Sequence, residues 1–458
     1  MSVIELKREP PAVTAPTRVR DHWRDGFAVA AIMLLAPVLP LFLGGRTPFI
    51  IAYLSDGLQA AVMAVVLVVS FWHGAGALAD VRERRLWIGS AVVFSAYILL
   101  QVLPLPFLAR WLGPYPDALW RLSGWSPLTW SPNPGATLLG WTQFLALWTV
   151  AWTARTLPSR YLGWLLLAFT ASALFQALYG LLAQANGSET VLGLWPRVNP
   201  SYLSGTFTHR NLFGGYVSLL GPLTIFIWWL PGIPGLSQLP RPARIAGTVF
   251  CTVVMTMAMF GTGSRMGVMD GIIALLVSGY LWVFHYNVSG RQQQWSAAAM
   301  AVIVMLVLLW FGPKLILERT VDMGIESSRW DVWRLMLTKF PLHYWFAGIG
   351  LGGFEAAFRT IQSAGLSAWY FDAHCDLLQW LLETGTVGAC ILVLTCTGLW
   401  RRRGISRLRA PLYGGLASIA FIGLVDFSWH MAGTQLVIAT YVGILLRPMR
   451  KGGRSSES

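Results

Sequence analysis

Long apolar runs alternate with short polar segments along most of the chain. A helix that crosses the hydrocarbon core of a membrane needs about 20 predominantly apolar residues. Runs that approach or exceed this length lie near residues 27–43, 49–71, 86–103, 136–154, 161–183, 211–230, 245–261, 266–284, 296–312, 376–400, 410–428 and 431–447. The pattern predicts an all-α, polytopic integral membrane protein with about 12 transmembrane helices. Counts of 11 or 13 also fit, because the last run is short and the two runs between 245 and 284 are almost continuous.

One long polar stretch, residues 313–375, interrupts this pattern. A loop of this length is uncommon in a compact protein unless it binds or catalyses. The predicted organisation is an N-terminal tail (1–26), transmembrane helices 1–9 (27–312), the large loop (313–375), transmembrane helices 10–12 (376–447) and a C-terminal tail (448–458). A second stretch, residues 104–135, is rich in proline and tryptophan, and its Trp111 and Trp130 predict amphipathic structure at the outer membrane interface.

Composition and charge agree with a membrane protein and set its orientation. The chain is 55% hydrophobic and only 12% charged. Lysine and arginine accumulate in cytoplasmic segments of membrane proteins. Most of the 34 such residues lie on one side of the predicted membrane if the N-terminus is inside. This predicts that both termini are cytoplasmic and that the large loop is outside. The net charge of +14 is then explained by anionic inner-leaflet lipids, and no nucleic-acid partner is needed.

Four polar side chains at predicted outer helix ends are candidates for chemistry: Arg210, Arg265, Arg329 and His374. Each also has a structural explanation. Arg210 could be an interface arginine that extends to the headgroups, and Arg265 could pair with Asp270. Arg329 could be an exposed loop arginine paired with an acid, and His374 could be a hydrogen-bonded structural residue. The predicted topology places all four on the outer face, which favours a shared functional site.

Four sequence motifs carry a resemblance to a known family. They are Gly205-Thr206-Phe207-x-x-Arg210-Asn211; Ser264-Arg265; Ser328-Arg329 with Gly348-x-Gly350-x-Gly352; and Ala373-His374-x-Asp376-x-x-Gln379-x-x-x-Glu383-x-Gly385. Together, in this order and on this face, they resemble the O-antigen ligase and Wzy-type polysaccharide polymerase superfamily over residues 205–430. One departure is Cys375, because many relatives have asparagine after the histidine.

The resemblance implies a GT-C-like membrane glycosyltransferase in the bacterial inner membrane, with a periplasmic active site. It would move a glycan from undecaprenyl pyrophosphate to an acceptor hydroxyl of another glycan or of lipid A-core, with inversion. The implied partners are these substrates and membrane lipids, and a chain-length regulator protein is a further candidate. Neither a metal nor another cofactor is expected.

The resemblance also suggests roles for individual residues. Arg210 and Arg265 would bind the pyrophosphate, because guanidinium groups match phosphate oxygens with charge-assisted hydrogen bonds. His374 would be the general base, since histidine titrates near neutral pH. Arg329, Asn211 and Asp426 would support these groups or contact the acceptor.

Other functions remain open from the sequence. The motifs do not separate a ligase, which delivers a finished chain to lipid A-core, from a polymerase, which extends another lipid-linked glycan. A flippase or other transporter of lipid-linked oligosaccharides predicts basic residues in the middle of helices. A relative of the RodA-type peptidoglycan polymerases would rely on an acid of the outer loop, such as Asp331 or Asp372.

Overall fold

The computed structural model describes residues 81–113, 129–197, 200–207, 209–285, 323–363, 365–366, 370–399 and 406–447. The helices predicted near 27–43, 49–71 and 296–312 lie outside the described residues, as do both tails. The described part is mostly helical. Its only strands in these ranges are Thr190–Val191 (β1) and Trp195–Pro196 (β2), which form a short antiparallel ladder.

The described helices fall into two groups along the chain. In the first half they are α1 (Val81–Val102), α2 (Pro106–Leu112), α3 (Pro134–Thr156), α4 (Ser159–Ala185), α5 (Arg210–Phe226), α6 (Arg241–Gly261) and α7 (Arg265–His285). In the second half they are α8 (Met323–Lys339), α9 (Leu342–Ala347), α10 (Phe354–Arg359), α11 (Asp376–Leu399), α12 (Arg409–Ile422) and α13 (Ala432–Leu445). Short 3-10 turns at Ile227–Trp229 and Ser428–His430 follow α5 and precede α13.

Six of the described helices are long and apolar enough to cross a membrane: α1, α4, α5 with its 3-10 turn, α6, α7 and α11. Helix α13 is equally apolar in character but shorter. The predicted helical, multi-pass architecture is therefore confirmed at this level. A total of 12 transmembrane helices and a GT-C-like arrangement remain predictions.

Helix α5 is the centre of the bundle, and every residue from Asn211 to Ile225 is buried. It packs against α4, α6, α7 and α12. Glycines allow these helices to approach closely, as small residues do in membrane bundles. A Cβ atom at Gly214 would lie 3.4 Å from the Cα of Gly267, so the first turns of α5 and α7 are in direct contact.

The structure differs from the sequence prediction at three places. The run at 410–428 is helical only to Ile422, because residues 423–431 form an irregular turn. Helix α11 is broken at Gly385, whose φ of 66° and ψ of 169° are not helical. Trp130 is not on the surface but is buried in protein, and its Nε1 donates to the carbonyl of Gly348 at 2.8 Å. Trp111, in contrast, is 67% exposed.

Candidate active site

The turn that carries His374 immediately precedes α11, and hydrogen bonds of Ala373 connect it to α11 and to α8. The N–H of Ala373 donates to Oε1 of Gln379 at 2.8 Å, and its carbonyl accepts from Nε1 of Trp333 at 2.7 Å. His374 itself has φ of 53°, in the left-handed region. This conformation costs a non-glycine residue roughly 1–2 kcal/mol. Strain of this kind persists where surrounding contacts enforce it, and it is concentrated at functional sites.

The imidazole of His374 is largely buried and kept neutral. Its ring meets the ring of Phe427 edge-on, with centroids 5.1 Å apart. Burial lowers the pKa of His374 below its ordinary value of 6.5, and the charge of Arg329 lowers it further, against the opposing charges of Asp426 and Asp372. Its Nδ1 is buried and has no hydrogen-bond partner among the described residues. A neutral imidazole with an unpartnered nitrogen can accept a proton.

Arg329 folds back from the large loop onto this site. It lies on α8, and its Nη1 donates to the carbonyl of Val425 at 3.4 Å. The side chain is half-buried and close enough to affect the protonation of His374 and His209. The sequence left the direction of this arginine open. In the structure, it points toward the predicted base.

Asn211 and Asp426 join the start of α5 to the turn after α12. The Asn211 amide donates to Oδ2 of Asp426 at 2.6 Å, and the N–H of Phe427 donates to Oδ1 at 2.9 Å. The carbonyl of Asp426 accepts from the N–H of Asp376 at 3.1 Å. Asp426 is fully buried, and these bonds satisfy it. The pair therefore fixes the turn that places Phe427 beside His374.

His209 is a member of this cluster that the sequence analysis missed. It caps α5, and its Nδ1 accepts from the N–H of Asn211 at 3.3 Å. Its ring centroid lies 6.2 Å from that of Phe427. Burial lowers the pKa of His209, as do the charges of Arg210 and Arg329, while Asp426 opposes them. Two neutral histidines thus approach the same phenylalanine.

Arg210 and Arg265 are the first residues of α5 and α7, the two helices in contact at Gly214 and Gly267. Helix N-termini carry partial positive charge and exposed N–H groups, so they attract anions. The guanidinium of Arg210 stacks over the ring of Tyr202, 3.9 Å from its centroid. These two arginines therefore begin adjacent helices whose ends suit a phosphate group.

The turn before α7 helps to place Arg210. Gly263 has φ of 57°, and a Cβ there would lie 2.7 Å from the Tyr202 ring and 3.6 Å from Nη1 of Arg210. Asp270, considered as a partner of Arg265, does not fill that role. Its carboxylate is buried, and the polar side chains beside it are those of Ser218 and Ser418.

A second pair, the buried Asp376 with the partly exposed His430, joins the start of α11 to the turn before α13. Oδ1 of Asp376 lies 2.5 Å from Nδ1 of His430, and Oδ2 accepts from the N–H of Trp429 at 2.7 Å. The charge of Asp376 overcomes the effect of burial and raises the pKa of His430 to about 9. His430 is therefore a cation at neutral pH. The pair ties the first residue of α11 to the turn that contains Asp426.

Glu383 connects the His374 turn to the glycines of the large loop. Its carboxylate accepts from the N–H of Gly352 at 2.9 Å and from that of Phe354 at 3.3 Å. It also accepts from Nε2 of Gln379 at 3.1 Å. Its partners in the loop are backbone groups. The spacing of Gln379 and Glu383 after His374 is thus explained by a chain of hydrogen bonds.

The geometry assembles Arg329, His374, Asn211 and Asp426 at one end of the bundle, beside the helix that begins with Arg210. Residues 250–393 match a family model described as O-antigen ligase. Over this segment the chain is similar to the O-antigen ligase family. The O-antigen ligase segment contains Arg265 and the His374 turn and ends within α11. A search of curated proteins found no match to the chain.

The match supports a membrane protein related to ligases and polymerases that act on glycan and lipid-linked substrates. The O-antigen ligase match does not extend to Arg210, Asn211 or Asp426. Their relation to it is structural, because the hydrogen bonds of Asp426 reach into the matched segment at Asp376.

Proposed function

We propose that the protein moves a glycan from undecaprenyl pyrophosphate to an acceptor hydroxyl on the periplasmic face of the bacterial inner membrane. The observation that carries this proposal is the placement of His374. It is a neutral, strained and partly unpartnered histidine, and it shares a cluster with Arg329 and His209 beside the arginine that begins α5. This combination suits proton acceptance close to a developing phosphate charge.

The proposed reaction is a single displacement with inversion. The acceptor oxygen forms a bond to the anomeric carbon of the donor glycan, and the bond from that carbon to the pyrophosphate oxygen breaks. The acceptor proton passes to His374. The electron pair of the broken bond remains on undecaprenyl pyrophosphate, and Arg210 and Arg265 stabilise the negative charge that develops there. Arginines supply the positive charge in this scheme, so no metal is needed.

Arg329, Asn211 and Asp426 have supporting roles in the proposal. Arg329 keeps His374 neutral through its charge. Asn211 and Asp426 hold the turn that presents Phe427 to the imidazole. These residues therefore set the basicity and position of His374. Arg329 is also near enough to the site to contact an acceptor.

The proposal is tested with purified protein in detergent, undecaprenyl-pyrophosphate-linked glycan and a chelator, with and without lipid A-core. Products are followed on a gel. We expect a ladder without lipid A-core for a polymerase, and only core-linked product for a ligase. His374→Ala should lose about 10² to 10⁴ in rate, as expected for a positioned general base. Arg359→Ala is the matched control, because Arg359 pairs with Glu355 on the exposed surface of α10.

Several outcomes would overturn parts of the proposal. Full activity in His374→Ala would show that His374 is not the general base. Activity that requires a divalent cation would remove the metal-independent scheme. No product from folded protein would favour a transporter of lipid-linked oligosaccharides. Loss of activity in Asp372→Asn with retention in His374→Ala would favour a RodA-like acid mechanism, since Asp372 is buried near His374 whereas Asp331 is exposed.

A further inference from the structure

One part of the large loop has the composition of a membrane segment. Residues 340–354 contain no lysine, arginine, aspartate or glutamate, and Lys339 and Glu355 flank them. The segment comprises α9 and a turn with three glycines at positive φ, Gly348, Gly350 and Gly352. On α9, Leu342 is 86% exposed and Phe346 is 64% exposed. Exposed apolar side chains in a cluster indicate a surface that something covers.

The depth of this segment in the membrane can be derived by counting residues along α11. The far end of α11 lies next to an arginine run, residues 401–403. The 14 residues of α11 after the break at Gly385 cover only about 21 Å of a hydrocarbon core about 30 Å thick, so the near boundary falls before the break, around Trp380. The N–H of Ile349 donates to the carbonyl of Leu382 at 3.0 Å, and a Cβ at Gly348 would lie 2.8 Å from the nitrogen of Gly385. At 1.5 Å per residue, these contacts lie about 3–8 Å inside the hydrocarbon.

Helix α1 supports the same depth. Its last charged residue at the far end is Arg85 and the helix ends at Val102, so the near boundary lies at or beyond Val102. The carbonyl of Ala347 accepts from the hydroxyl of Tyr97 and from Nε2 of Gln101. Along the helix, Tyr97 therefore lies at least about 8 Å inside the boundary and Gln101 at least about 2 Å.

Helix α3 shares a boundary with α1 and agrees with the same depth. Arg155, near its far end, pairs with Glu83 of α1, so the two helices share that boundary. A span of about 20 residues counted back from Ala154 ends at Gly135. A Cβ at Gly140 would lie 2.9 Å from the Cβ of Leu351, about 8 Å inside the boundary.

Irregular backbone at membrane depth must have its polar groups satisfied by protein. The carbonyl of Ala347 has Tyr97 and Gln101, and that of Gly348 has Trp130. The N–H of Gly350 donates to the carbonyl of Glu383 at 3.0 Å. The N–H groups of Gly352 and Phe354 bind the Glu383 carboxylate, which explains a buried acid within an apolar helix. These groups are therefore satisfied by protein, as a segment inside the membrane requires.

We propose that residues 341–353 form a re-entrant segment, which enters the leaflet on the side of the large loop, and that acyl chains cover Leu342 and Phe346. The apolar surface is continuous with that of neighbouring elements. The hydroxyl of Tyr344 donates to the carbonyl of Gly113 at 2.9 Å, which joins α9 to the end of α2. On α2, Phe107 is 71% exposed, and α1 presents exposed Val92 and Leu100 below it. Lipid is the occupant that fits, because α1 is long and apolar enough to cross a membrane and these side chains are on its exposed face.

The re-entrant segment is coupled to the His374 turn. Glu383 binds the segment, Gln379 binds Glu383, and the N–H of Ala373 binds Gln379. Asp376 lies about 6 Å outside the boundary at Trp380, which places His374 at the level of the headgroups. If the proposed function holds, this is the depth of a lipid-linked pyrophosphate.

The test uses fluorescence in liposomes and does not depend on enzyme activity. A cysteine is introduced at Phe346 or Leu342 after the native cysteines are replaced, and it is labelled with bimane. Nitroxide lipids and aqueous iodide are then compared as quenchers. Val92→Cys is the lipid-facing control, and Arg359→Cys is the aqueous control, since both side chains are exposed. Size-exclusion chromatography establishes that each variant is folded.

We expect the Phe346 and Leu342 probes to be quenched by nitroxide lipids as at Val92, and to be protected from iodide. Iodide quenching as at Arg359 would overturn the proposal. Protection from both quenchers would also overturn it, because a second copy of the chain or another protein would then cover the surface. A second measurement uses the unmodified protein with a photoactivatable lipid. Labelling must fall on residues 340–354 and spare residues 355–363.

Discussion

The Asp376–His430 pair predicts a dependence of stability on pH. The Asp376 side chain is fully buried, and that of His430 is 30% exposed. Burial opposes the charged imidazolium, but Asp376, with Asp372 and Glu383, outweighs it and raises the pKa of His430 to about 9. At 1.36 kcal/mol per unit, the difference from the ordinary value of 6.5 corresponds to at most about 3 kcal/mol of folding stability, because solvent reaches His430 and burial raises the pKa of Asp376.

The direction of the effect follows from the raised pKa of His430. Because the folded protein binds this proton more tightly than the unfolded chain does, the contribution is complete below pH 6.5. It is lost as the pH rises through about 9. We therefore expect the stability of the wild type to fall over this range. The decline should be absent in His430→Gln, which has no titrating group at this position.

The assay is thermal melting in detergent across pH, with wild type, Asp376→Asn, His430→Gln and the double variant. Breaking a buried pair leaves one charge uncompensated and commonly costs about 3–5 kcal/mol. Below pH 6.5, we expect the stability losses of the two single variants to add up to more than the loss of the double variant. The difference is the coupling energy of the pair, and it should vanish above pH 9. Arg359→Gln, in an exposed i,i+4 pair, should show only about 0.5 kcal/mol at most. A coupling energy that does not change with pH would refute the reasoning.

Four further predictions concern the cluster and its support. Activity should fall at acidic pH, below the lowered pKa of His374. Arg329→Ala should move this acidic limb of the pH–rate profile to higher pH, and Arg329→Lys should leave it in place. If rate measurements show no movement in Arg329→Ala, Arg329 does not set the pKa of His374. Arg210→Ala should lower the rate by about 10² to 10³, and Arg210→Lys should recover only part of this loss. Equal initial velocities for Arg210→Lys and the wild type would contradict bidentate binding. His209→Asn keeps a capping oxygen, so its melting temperature should match wild type while activity falls, because the ring lies in the cluster; retained activity would leave only the cap. Glu383→Ala leaves two loop N–H groups unpaired, which costs about 1–3 kcal/mol each, and melting should show a smaller loss for Glu383→Gln.

Hydropathy predicted the long helices because burial in lipid requires an uninterrupted apolar run. It did not predict the break at Gly385, since the cause is a segment some 40 residues earlier that packs there. The same reason explains why the burial of Trp130 was not predicted, since its partner is the carbonyl of Gly348. In each case the decisive contact is distant in the chain and involves backbone atoms, which leave no periodic signal.

The candidate site was predicted as a set of residues, but not as an arrangement. Asn211 and Asp426 were both named, yet their hydrogen bond across 215 positions required the fold. His209 had a local signal, because a polar residue directly before an apolar run is a helix cap. His430 and Asp376 were at ends of runs on the same predicted face, so topology alone could have paired them.

The left-handed backbone at His374 has a consequence for the choice of an inactive form. Asparagine and glycine adopt this conformation at lower cost than histidine. Replacing the imidazole by either would therefore relieve strain while removing the proposed base, and the inactive protein would be the more stable one. If His374 is the base, this turn keeps its histidine against the preference of its own backbone, as in other proteins that trade stability for function. Such a variant is the form in which a complex with both substrates would persist long enough to be captured.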